Sequence, residues 1–336
     1  MELGSSKKLA IQRLTALWAL TESGLGGLLH AFNSPFTGLF VGSIAIILIA
    51  LIYTLSGKQW SVVLKALTIV LIIKMAVAPH SNITSYFAVS FQAVAGIIIL
   101  RIIPSIAVGS IVFAVVALVE SAIQKILVLY ILYGKTIWEA IDEFGVWVNR
   151  KFENSFLLIT SKNVILVYIG LYIMMGLLVG LFIAAANKSI KKEWNNPKYM
   201  IQLDKGLSVG EHDMQRKKSN YTHLIFIMIT LLILTLFASL TQGIGQGFYL
   251  LGRTMLLLGI WYLFLAPWIM KQLRKLLKKR QSKLGVELDQ TFILLPYLKT
   301  IITRAWSESR DLGTFKKWYY FLIYTILYSL RFKLKQ

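Results

Sequence analysis

Residues 36–56 read Phe-Thr-Gly-Leu-Phe-Val-Gly-Ser-Ile-Ala-Ile-Ile-Leu-Ile-Ala-Leu-Ile-Tyr-Thr-Leu-Ser, without one charged side chain. A helix needs about 20 such residues to cross the hydrocarbon core of a bilayer. Lipid cannot satisfy backbone polar groups, so an apolar run of this kind is either a helix or a strand of a closed barrel. Barrel strands are about 10 residues long and alternate apolar with polar. This run is long and continuous, so it reads as a membrane helix. Working outward, comparable runs lie at 9–32, 60–77, 85–103, 105–133, 163–187, 222–241 and 247–270, with a short aromatic run at 318–330. The fold class expected is all-α: a polytopic membrane helical bundle of about eight or nine spans, with long basic cytoplasmic helices near the C-terminus.

Composition agrees. The 336 residues are 57% hydrophobic and the mean hydropathy is +0.67, where soluble domains are about 45–50% apolar. The chain has no cysteine, which excludes disulfides, thiolate metal sites and cysteine nucleophiles. Met1–Leu9 is polar with Lys7 and Lys8, and no clear small-residue cleavage site follows the first apolar run, so the first span is expected to stay.

The net charge of +21 suits either nucleic acid or the cytoplasmic loops of a membrane protein. Most lysines and arginines fall between spans, which favours the second and argues against a nucleic-acid partner. With the N-terminus in the cytoplasm, Lys58 and Arg101 mark inner turns, while 33–35 and 78–83 lack lysine and arginine and face out. The stretch 134–162 balances its charges and suits the outside. The stretches 188–221 and 271–317 are basic and suit the inside. The localisation expected is a bacterial inner membrane. The run 318–330 either spans or lies in the interface. Three parts follow: a six-helix membrane domain at 5–190, a basic cytoplasmic linker at 191–221, and a second part at 222–336 whose cytoplasmic helices occupy 271–312. No repeat relates the two membrane parts.

Ionisable groups within spans are costly and mark candidate sites. Glu22, Lys74, Glu120 and Lys125 all fall at mid to outer depth. They read either as a polar substrate pocket open to the outside or as two ion pairs that fix helix packing. Lys65 is near an inner end and can snorkel. At the outer ends, His30, Asn33, His80, Asn82 and Gln92 are candidate ligand contacts, or simple helix-end polar groups. No phosphate loop, His-Glu-x-x-His helix or Asp-rich metal cluster occurs, so no catalytic residue, metal site or cofactor is expected. Gly206-Leu207-Ser208-Val209-Gly210 matches a nucleophile elbow by spacing, but no apolar strand leads into it. That leaves transport or assembly as the leading classes, with a lipid-modifying enzyme using His30 and His80 behind them.

Lys271–Lys283 reads as a basic amphipathic helix. Beyond it, Leu294, Leu295, Leu298, Ile301, Ile302 and Ala305 recur at helical spacing, with Pro296 as an interruption. The run Leu295-Pro296-Tyr297-Leu298 through Arg304-Ala305 to Ser309-Arg310-Asp311-Leu312-Gly313 resembles the T component of energy-coupling factor transporters, with Ser309 and Asp311 in place of the family's Ala and Gly. Residues 5–190 resemble the substrate-binding S component in helix count and orientation, with Asn33-Ser34-Pro35-Phe36-Thr37-Gly38 after a Gly-rich first helix, and Ala16 and Ala19 on its face. The resemblance implies uptake of a small molecule, vitamin-like or a metal. It also implies separate ABC ATPases docking on 286–312 through Arg304 and Arg310, whose planar forks suit carboxylates. A self-contained ion-coupled transporter, with Glu120 as coupling group, is the competing transport reading.

Overall fold

The computed structural model describes residues 5–25, 36–78, 83–151, 159–194, 196–200, 202–203, 228–229, 231–236, 239–240 and 243–334. Among them the fold is helical. The helices are α1 (Ser5–Leu20, continued by a π turn at Thr21–Leu25), α2 (Thr37–Leu55), α3 (Trp60–Val77), α4 (Ile83–Ile102) and α5 (Ile106–Tyr133). Then follow α6 (Thr136–Lys151), α7 (Ser161–Glu193), α8 (Ile244–Gly259), α9 (Ala266–Ser309) and α10 (Thr314–Arg331). A two-residue parallel pair, Gln202–Leu203 with Lys333–Leu334, is the one strand pairing among the described residues. Six helical stretches are long and apolar enough to cross a membrane: α2, α3, α4, α5, α7 and Gly247–Lys279.

α2 sits at the centre and touches α1, α3, α4, α5 and α7. Its residues Ala45 through Tyr53 are all buried, as expected of a helix that is apolar all round. Hydroxyls inside the helices are satisfied locally: Thr15, Thr21, Ser23 and Ser43 each donate to the carbonyl four residues earlier, so their burial costs little. The closest pair is α5 with α7. A Cβ at Gly176 would lie 2.7 Å from Val115 Cα, and one at Gly180 would lie 2.4 Å from Ile111 Cα. Two glycines one turn apart are what lets these backbones meet.

Two hydrogen bonds show which turns share an end of the bundle. Lys58 Nζ donates to Pro104 O at 3.4 Å, and Thr54 Oγ1 to Asn187 Oδ1 at 2.9 Å. Lys58, Arg101 and the lysines ending α7 therefore share one end of the bundle. The balanced stretch after α5 is not a plain loop but contains the amphipathic helix α6, whose Asp142 carboxylate accepts from Ser161 N and Oγ and starts α7.

The basic segment differs most from expectation. Lys271–Lys283 and Val286–Ser309 form one helix, α9, of 44 residues, about 66 Å long at 1.5 Å per residue. It passes through Pro296, where a backbone donor is lost. Leu294, Tyr297, Leu298, Ile301 and Ala305 are buried on both sides of that break, and this packing holds the helix together. α9 lies along α3 in the opposite direction: Lys65 pairs with Glu287, whereas Arg274 is within electrostatic reach of Tyr86, the neighbour of Lys74. The basic stretch 271–283 therefore starts at the end opposite Lys58 and does not project from the basic end. The cause is an apolar stripe, Met270, Leu273, Leu277, Leu284 and Leu288, which packs into the core. The short run 318–330 lies within α10, which packs on α9 and α1 and is not among the six membrane-length stretches. Its end is clamped by buried Arg13, which donates to Leu330 O at 2.8 Å and Phe332 O at 2.6 Å.

Candidate functional site

The π turn after α1 carries Glu22 into the interior, and the last turn of α3 carries Lys74 to meet it. Lys74 Nζ donates to Glu22 Oε2 at 2.7 Å, and each side chain is 4% exposed. Single π turns are rare in helices and recur at functional sites. The ring of Tyr86, near the start of α4, lies 5.7 Å from Lys74 Nζ, and the Tyr86 hydroxyl is buried without a hydrogen-bond partner among the described residues. Gln92 is buried on the same helix, and its Oε1 also lacks a partner there. Six residues separate Tyr86 from Gln92, about 9 Å along the axis. The site thus offers a desolvated carboxylate, an ammonium and a phenol, and the phenol has hydrogen-bonding capacity that the described protein does not use. Gln92 faces Gly42 of α2 instead.

The four candidate charges do not form one group. Glu22 and Lys74 pair, but no hydrogen bond or ion pair joins Glu120 to Lys125 among the described residues. Glu120 is half-buried with Oε2 unpartnered, and Lys125 is exposed. His30, Asn33, His80 and Asn82 lie outside the described residues. Among those described, no cluster of three or more His, Asp or Glu is arranged to hold a metal. Tyr86 was missed by sequence reasoning, because a tyrosine at a helix end in an apolar protein gives no signal of its own.

At the other end of α9, Arg304 Nε donates to Glu308 Oε1 at 3.2 Å and its guanidinium lies 5.5 Å from the Tyr328 ring. Tyr328 donates its hydroxyl to the same carboxylate at 2.6–2.7 Å, and Lys198 Nζ is 3.8 Å away. Burial alone would raise the Glu308 carboxyl, but the hydrogen bonds from Tyr328 and Arg304 and the nearby Lys198 outweigh it and hold it below the usual range. Arg304 is therefore engaged within the chain, whereas Arg310, in the turn between α9 and α10, is exposed.

α9 also makes the link between these places. It packs on α1 and α3, the two helices that lead to Glu22 and carry Lys74. Gln12 Nε2 donates to Gln290 Oε1 at 2.8 Å, and Lys65 pairs with Glu287. A cleft of about 520 Å³ lies between the three helices, lined by Lys8, Gln12, Lys65, Glu287 and Thr291 among others. No family model, no curated protein and no solved structure matches the chain.

Proposed function

We propose that this chain is the membrane component of an uptake system for a small molecule, energised by separate ABC ATPases that engage the distal part of α9 and the turn after it. The observation that carries this reading is the packing of α9 on α1 and α3, the helices that position the Glu22–Lys74 pair. A helix of this length transmits displacement as a stiff rod, so a pull at Arg310 is felt where Gln12 meets Gln290 and Lys65 meets Glu287. The pair is then the gate. Closed, it satisfies its own charges in a dry site. Opened by a shift of α3 against α1, it offers a carboxylate and an ammonium to a polar ligand entering beside Tyr86. Arg310 is the principal docking residue, because Arg304 is held by Glu308 and Tyr328.

In this reading the protein is multi-pass in a bacterial cytoplasmic membrane with its N-terminus inside. α1 with its π turn, the run 222–241 and α10 bring the six membrane-length stretches towards eight or nine spans. The chain lacks cysteine, so single cysteines report sidedness directly. Lys58→Cys reacts with a membrane-impermeant maleimide only after the inner face is opened. Labelling of Lys58→Cys in intact cells would refute the orientation. The ATPase arm is tested by affinity purification from the native host: Arg310→Glu loses a pair of ABC ATPases that the unmodified chain retains.

A second reading has its own observation. Glu120 is a half-buried carboxylate midway along α5 with an oxygen that has no partner among the described residues, which suits the coupling group of a proton-driven transporter. Proton dependence of uptake that survives Glu120→Gln would remove this reading.

A further inference from the structure

Among the described residues α8 packs on the last turns of α5 and on Leu231, Leu234 and Thr235, and meets little else. The membrane-length stretch Gly247–Lys279 has only 12% of its most apolar window buried, and it touches α5 near that helix's last turns. There Thr254 Oγ1 donates to Leu132 O at 2.9 Å, and the Arg253 guanidinium lies against Gly134. A Cβ at position 134 would come 2.4 Å from Arg253 Nη1, and the backbone at Gly134 has φ +64°, so both space and conformation call for glycine. Beside this contact a cleft of about 620 Å³ opens between α5 and α8, lined by Tyr130, Ile131, Tyr249, Arg253, Leu256 and Leu257. Among the described residues no carboxylate forms an ion pair with Arg253.

We propose that this cleft is a binding site for one membrane phospholipid with an anionic headgroup. The chemistry of the lining divides into two parts. Arg253 supplies a fixed fork for a phosphate, and Tyr130 and Tyr249 are amphipathic residues of the kind that sits at headgroup level. Beyond them Ile131, Leu256 and Leu257 form an aliphatic wall next to exposed apolar residues of α5 (Leu127) and of the π-helical stretch Ile260–Leu265 that follows α8 (Ile260 and Leu263). A soluble phosphate has no use for that wall, and a net-neutral phospholipid brings its own ammonium beside its phosphate, so it gains less from a guanidinium with no ion-pair partner among the described residues. An anionic phospholipid matches both, and its acyl chain fills the space that α8 leaves open against the bundle. This site lies apart from the Glu22–Lys74 pair and does not depend on the transport reading.

The test uses the full chain, purified in mild detergent and followed by native mass spectrometry, with phosphatidylglycerol and phosphatidylcholine of identical acyl chains as probes. The unmodified chain is expected to hold one phosphatidylglycerol in preference to phosphatidylcholine. Arg253→Gln should weaken that binding about tenfold, the loss expected of one charge-assisted contact. Leu256→Trp, at a position 61% exposed, fills the aliphatic wall without disturbing the core. It should evict the lipid while Arg253 remains, which keeps the proposal testable if Arg253→Gln does not fold. Equal retention of both lipids, unaffected by either substitution, would overturn the site. Competition by inorganic phosphate would likewise overturn it, because the anion would then be bound without the chain.

Discussion

α2 and α7 are equally apolar, yet 72% of the most apolar window of α2 is buried inside the protein and only 22% of that of α7. The same hydropathy thus serves two ends. In α2 it fills a protein core, and every face meets another helix. In α7 it mostly faces outward, with Leu166, Leu178 and Leu181 exposed, while one stripe that includes Tyr172, Val179 and Ile183 is buried, its glycines Gly176 and Gly180 pressed against α5. A bilayer is as apolar as leucine, so hydropathy alone cannot separate a lipid-facing helix from a core helix; the pattern of small residues can.

The contrast can be broken by substitution. The largest effect is expected at the buried pair next to α2. Lys74→Met leaves Glu22 charged in a site 4% exposed, and should cost about 3–5 kcal/mol. The double variant Glu22→Gln with Lys74→Met should recover most of that, as read by thermal unfolding in detergent. Next, Ile49→Ala in α2 removes a fully buried side chain and should cost about 2–5 kcal/mol. Leu181→Ala in α7, at a position 56% exposed, should stay within about 0.5 kcal/mol. Equal losses for these two would erase the distinction between the helices. Gly180→Ala should destabilise by about 1–3 kcal/mol, since its Cβ has no room against Ile111. Gly170→Ala, with nothing within 4 Å, should be neutral or slightly stabilising.

The smallest effect concerns pH. The folded Glu308 carboxyl titrates below its ordinary range, so the unfolded chain takes up the proton first as pH falls. Its contribution is present above the ordinary carboxylate pKa and is lost as pH drops through the folded value. Tyr328→Phe removes a hydrogen bond to that carboxylate and should flatten the fall in unfolding temperature as the pH drops below the ordinary carboxylate range. An unchanged slope would mean that Glu308 does not report on this contact.

The spans 36–56, 60–77, 85–103, 105–133 and 163–187 were legible in the sequence to within a few residues of α2, α3, α4, α5 and α7, because a predominantly apolar run of membrane length leaves few alternatives. α6 was not, since its balanced charges resemble those of a loop. The course of α9 was also hidden. Its lysines suggest a basic amphipathic helix at the cytoplasmic face, whereas its leucine stripe binds it along α3. Pro296 suggests a break that tertiary packing overrides. Of the site, Glu22 and Lys74 were legible as charges that a membrane helix does not carry idly. Of the two ion pairs that the four charges could have formed, Glu22 with Lys74 is present, and Glu120 makes none with Lys125. Five residues along a helix turn the side chains about 140° apart, so they do not face each other.

The central claim is that α9 couples an external energy source to the helices holding Glu22 and Lys74. Affinity purification of the tagged chain from its native host, followed by mass spectrometry, tests it most directly. The account predicts a pair of ABC ATPases with the unmodified protein and their loss with Arg310→Glu, at unchanged yield and unfolding temperature. Absence of ATPases from the unmodified chain, or their retention by Arg310→Glu, would contradict it.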